Sequence, residues 1–127
     1  MRYMSLVVVA SIALASPVAA QGQRMSVQTF LAKVAALKEK GMLAMFSPDA
    51  KLLQNEMKVV ADEMKADKTA REAAGRPPLA CPPADRKKMG SEEFIKSMEA
   101  AVPPAQRGIP LKQGFIRMMA TKYPCPR

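Results

Sequence analysis

Cys81 and Cys125 are the only cysteines of this 127-residue chain, and each stands beside proline, in Ala80-Cys81-Pro82-Pro83 and Tyr123-Pro124-Cys125-Pro126. Between them lie two amphipathic runs, one around Phe94 and one around Phe115, separated by Pro103-Pro104. Proline starts helices well and continues them badly. The arrangement therefore reads as two helices joined at a proline corner, with one cysteine before the first and one after the second. We read the pair as a single disulfide closing this C-terminal helical hairpin. On the chain-entropy account, closing a loop of about 45 residues stabilises by about 4 kcal/mol.

An oxidising compartment is what the N-terminus predicts. Arg2 is followed by an apolar stretch, Leu6 to Ala15, and by small residues in Pro17-Val18-Ala19-Ala20. This is the pattern of a secretory signal peptide over 1–20, cut near Ala20, and it implies a periplasmic or secreted protein. The apolar stretch is too short to cross a hydrocarbon core of about 30 Å. No transmembrane segment is expected in the mature chain, and no cysteine follows the cut to carry a lipid. Residues 21–127 are enough for a single small domain, and loss of Arg2 lowers the formal net charge from +9 to +8. In such a compartment two cysteines point to a disulfide before a metal or redox site.

The rest of the chain reads as all-α: a small four-helix domain with helices over 26–40, 47–74, 91–101 and 110–123. Ser26 is placed to cap the first, whose Val27, Phe30, Leu31, Val34 and Leu37 share one face before Gly41 stops it. A core-facing helix is the commoner meaning of that pattern, with a membrane-surface element the alternative. Met42 to Phe46 is an apolar connector expected to tuck into the core. Ser47-Pro48-Asp49 then supplies a cap, a first-position proline and an acid at the positive end of the helix dipole. Leu53, Met57, Val60 and Met64 form the stripe of this second helix. Beyond Met64 the apolar character thins, Asp67 and Arg71 can pair at i,i+4, and Gly75-Arg76-Pro77-Pro78 ends the helix. Ser91 is read as the cap of the third helix, with Phe94, Ile95 and Met98 inward. Pro110 begins the fourth, with Leu111, Phe115, Met118 and Met119 inward. Gly114 inside it costs about 1 kcal/mol relative to alanine. Either a neighbouring backbone approaches closely there, or the position is a tolerated weak spot.

The chain has no histidine. Ser-His and Cys-His nucleophilic pairs are excluded, along with the commonest transition-metal sites, and no phosphate-binding glycine loop or EF-hand spacing occurs. Glu92 and Glu93 point about 100° apart on a helix, so they read as acids complementing its dipole. The expectation is a protein that is not an enzyme, with no catalytic residue, no cofactor and no metal. The basic excess lies in the C-terminal part, but with two tyrosines, no tryptophan and no binding motif, nucleic acid is not an expected partner. Steering toward an acidic protein or an anionic envelope fits the charge better. The methionines on the inward stripes read as core filling, with an adaptable binding surface the alternative.

Three elements carry a family resemblance: Cys81-Pro82-Pro83 before the Phe94-Ile95-Met98 helix, the proline-led last helix with Leu111 and Phe115, and the closing Tyr123-Pro124-Cys125. Over the 47 residues from Ala80 to Pro126 the chain resembles the Rap/Tai family of periplasmic immunity proteins. These neutralise peptidoglycan amidase toxins delivered by type VI secretion. The resemblance implies an inhibitor that occludes the catalytic groove of a secreted amidase, often as a homodimer. The exposed loop Arg86, Lys87 and Lys88 and the corner Gln106 and Arg107 are the expected contacts with that protein partner, by their loop position and charge. A periplasmic stress chaperone of the HdeA type, also small, helical and held by one disulfide, is the alternative, and a structural envelope protein the third.

Overall fold

The computed structural model describes residues 24–126; the signal-peptide reading of 1–20 lies outside them. Four α-helices follow in order: α1 (Val27–Lys40), α2 (Pro48–Ala73), α3 (Ser91–Ala101) and α4 (Leu111–Lys122). A six-residue 3-10 helix, Gly41–Phe46, joins α1 to α2, and a short one, Pro104–Gln106, turns the corner between α3 and α4. Among the described residues the only β-type pairing is an isolated bridge between Ser26 and Pro110.

The helix ends follow local chemistry. The Ser26 hydroxyl accepts from the Thr29 amide at 3.1 Å, and the Ser47 hydroxyl accepts from the Asp49 amide at 3.3 Å. Both satisfy donors that a helix start leaves unpaired. Gly41 ends α1 with φ of 57°, and Gly75 follows α2 with φ of 66°, the left-handed region where glycine carries no Cβ penalty. Two further donors at the start of α1 are met from across the fold: Val27 donates to the Ile109 carbonyl at 3.0 Å and Gln28 to the Arg107 carbonyl at 2.8 Å. At the third helix Gly90, not Ser91, is the cap, and Ser91 is the first helical residue.

The core gathers Val27 and Phe30 from α1, Leu53 and Val60 from α2, Met98 and the adjoining Val102 from α3, and Leu111, Met118 and Met119 from α4. Phe94 sits between Phe30, ring centres 6.0 Å apart and edge-on, and Phe115, at 5.7 Å. Gly114 is buried in α4 against α1, where a Cβ would overlap Val27 Cγ2 and press on Met98 Sδ at 3.1 Å. Close approach therefore explains this glycine, and the neighbour is a side chain, not a backbone. Cys81 and Cys125 are bonded, their Cα atoms 4.9 Å apart, and the Cys81 amide donates to the Tyr123 carbonyl at 2.8 Å.

Two expectations are corrected. The connector Met42–Phe46 does not tuck in: Met42, Leu43, Met45 and Phe46 are 88, 72, 82 and 86% exposed. Burial along α1 tapers, from buried Val27 and Phe30 to half-buried Leu31, Val34 and Leu37, and the connector turns beyond the last of them. Asp67 and Arg71 do not pair along α2 either. Asp67 meets Lys112 of α4 at 2.8 Å, and Arg71 donates to the Pro77 carbonyl at 3.0 Å. Lys112 also reaches Glu63 at 3.7 Å, and Glu63 pairs with Arg24. These part-exposed pairs connect α2 with α4 and with the chain before α1, each being worth under about 1 kcal/mol.

Candidate functional site: a cation-rimmed apolar cleft

The C-terminal half of α2 does not stand alone. With the segment 78–82 and with α4 it encloses a cleft of about 400 Å³, within the range of ligand sites. Its apolar lining is Met64 from α2, Leu79 from the segment before Cys81, and Phe115, Ile116 and Met119 from α4. Lys65, Lys68 and Arg71 of α2 and Arg86 from the loop after Cys81 supply the cations around it. Asp67 is the one acid of the lining, and Lys112 neutralises it at 2.8 Å. The cleft is thus an apolar recess with an uncompensated positive rim.

Local structure accounts for each wall. The face of α2 formed by Ala61, Met64, Lys65, Lys68 and Arg71 follows helical spacing, so one stripe runs from apolar to cationic along its length. The disulfide and the Cys81–Tyr123 backbone bond pin the segment 78–82 against the end of α4. Arg86 lies with its guanidinium carbon 5.5 Å from the Tyr123 ring centre, a cation–π position that holds it near the mouth at little energetic cost.

The five residues expected to touch a partner fall into two places. Arg86, Lys87 and Lys88 are exposed in the loop beside the C-terminal end of α4, and Arg86 lines the cleft. Lys87 and Lys88 make no hydrogen bond or ion pair among the described residues. Gln106 and Arg107 lie at the other end of α4, a helix that rises about 18 Å over its length. There Gln106 is bonded to Arg117, and Arg107 Nε donates to the Val102 carbonyl at 3.1 Å. Arg107 is half-buried and part of the corner's own structure.

Lys65, Lys68 and Arg71 escaped the sequence reading as site residues; of the charges beyond Met64 it used only Asp67 and Arg71, as a possible i,i+4 pair. The available signal was the continuity of Met64 with Lys65, Lys68 and Arg71 on one stripe. Its meaning depended on what packed opposite. Among the described residues no group of three His, Cys, Asp or Glu side chains is placed to hold a metal ion, and no helix is long and apolar enough to cross a membrane. No family model, no curated protein and no solved structure matches this chain.

Proposed function

We propose that this chain is a non-catalytic, exported binding protein that acts as an immunity-type inhibitor, holding an acidic, partly apolar segment of a secreted peptidoglycan amidase in its cleft. The observation that carries the binding role is the cleft itself, with Phe115, Ile116 and Met119 on its wall and Lys65, Lys68, Arg71 and Arg86 around it. Apolar surface supplies affinity, while an unpaired cationic rim raises the encounter rate and selects acidic partners. The amidase as target rests on the resemblance of the segment from Cys81 to Cys125. Occlusion follows if the captured segment borders the toxin's active groove, with Lys87 and Lys88 extending the contact beyond Arg86.

The test is capture on the immobilised oxidised chain, followed by assay of what is retained. The expected result is one stoichiometric hydrolase whose amidase activity falls when the chain is added. Lys65→Glu/Lys68→Glu/Arg86→Glu should weaken that complex at least about 100-fold, because it sets like charges against an acidic segment. Gln106→Ala should leave it within about threefold, since this exposed side chain lies at the far end of α4 and surface changes away from a hot spot cost little. Retention unaffected by the triple reversal, or a retained protein that keeps full activity, would remove the reading.

A further inference from the structure

The tip of the α1–α2 hairpin stays outside both the core and the cleft. Its 3-10 helix, Gly-Met-Leu-Ala-Met-Phe, has no buried residue, and its four large side chains are almost wholly exposed. Lys38 and Lys40 end α1 immediately before it, and Lys51 lies in the first turns of α2 immediately after it, all three exposed. Two acids are nearby. Asp49 is held by Lys33 at 3.1 Å, which leaves Glu39 against three lysines. The tip is therefore an apolar knob inside a collar of positive charge.

We propose that this knob docks end-on into the surface of an anionic lipid bilayer, with Met42, Leu43, Met45 and Phe46 entering the boundary between headgroups and acyl chains and Lys38, Lys40 and Lys51 meeting lipid phosphates. Three observations select this occupant. The collar is positive, so two copies meeting tip to tip would oppose lysine to lysine. A six-residue convex tip also offers a second copy only a fraction of the roughly 20–30 residues a side of a stable interface. Finally, Met42 to Phe46 contains no polar side chain with which to orient a protein groove, and the adjoining Ser47 hydroxyl is already used as a cap. A fluid bilayer interface needs no such orientation, only apolar side chains below and cations at phosphate level.

The experiment is co-sedimentation with vesicles. The mature chain expected from the signal-peptide pattern, beginning at Gln21, is used; it carries the core residues named above and the disulfide, and it lacks Leu6–Ala15 as a source of lipid binding. It should sediment with phosphatidylcholine vesicles containing phosphatidylglycerol, less in high salt, and little with phosphatidylcholine alone. Leu43→Ser/Phe46→Ser should lower the partition coefficient about 100-fold, roughly tenfold for each large side chain withheld from the apolar phase. Lys38→Gln/Lys40→Gln/Lys51→Gln should lower it about fivefold per lysine on the anionic vesicles only. Both variants change exposed residues and should melt with the parent. A chain that stays in solution with both vesicles, or keeps its binding after Leu43→Ser/Phe46→Ser, overturns the proposal. So does self-association in solution that Phe46→Ser abolishes, since the knob would then be a dimer contact.

Discussion

Cys81→Ser/Cys125→Ser should lower the unfolding free energy of the oxidised protein by about 4 kcal/mol, the entropy of a closed loop of about 45 residues. For a domain near 100 residues that corresponds to a fall in Tm of about 15–30 °C. The bonded pair spans 44 positions and encloses α3 and α4 entirely. The effect is large because the core it supplements is small. The fully buried side chains are Met98, Leu111, Met118, Val27, Val60 and Val102, and three of these are valines. Domains of this size are stable by about 5–15 kcal/mol, so the bond is a large fraction of the whole. Urea unfolding of the oxidised parent and the double variant, compared at equal slope, measures the difference. A loss under about 1 kcal/mol would mean that the core alone holds the α3–α4 hairpin. The variant also releases the segment 78–82, so the cleft should lose a wall before the domain loses its fold.

Gly114→Leu should destabilise by about 3 kcal/mol or more, the upper range for overpacking a filled core. At this position even a Cβ overlaps Val27 Cγ2, and beyond it lie Met98 Sδ and Val102 Cγ2, the latter at 3.6 Å. Val27 is fully buried at the start of α1 and is β-branched, so one χ1 rotamer is strongly preferred and retreating from the overlap costs further energy. Gly114→Ala separates the two terms. Alanine gains about 1 kcal/mol of helix propensity, and the overlap costs about 1–3 kcal/mol, for a net loss of up to about 2 kcal/mol. Combining it with Val27→Ala should recover part of that loss, a coupling that thermal melts of the four-member cycle would read. Strict additivity would mean that α1 does not lie against α4 at this glycine.

The helices were legible in the sequence because their determinants are local. Ser26 and Ser47 cap the helices they precede, Gly41 and Gly75 follow helix ends, and the stripe Leu53, Met57, Val60 and Met64 faces inward. The disulfide was legible because two cysteines bracket one hairpin. Gly114 was half legible. Its oddity shows in the sequence, but its reason is Val27, eighty-seven positions away. The connector Met42–Phe46 was misread because apolar composition alone places a residue inside only where the core extends that far, and along α1 the core thins from buried Val27 and Phe30 to half-buried Val34 and Leu37 before the connector begins. The cleft was not legible. It depends on how α2 lies against α4, where Leu53 and Val60 share a core with Leu111, Met118 and Met119 and Lys112 meets Glu63 and Asp67, contacts with no signature along the chain. Arg86, chosen for its loop and charge, does line the cleft, whereas Gln106 and Arg107, chosen on the same grounds, lie at the far end of α4.

If the proposed partner is held in the cleft, amide hydrogen exchange on the chain with and without that captured partner will map it there. Slowed exchange should appear over 61–71, 78–82 and 115–119, the backbone that lines the recess, with 26–30 and 104–109 unchanged. Protection confined to 41–46 or to the corner at 104–109, with the cleft exchanging as freely as in the unbound chain, would mean that the partner binds elsewhere.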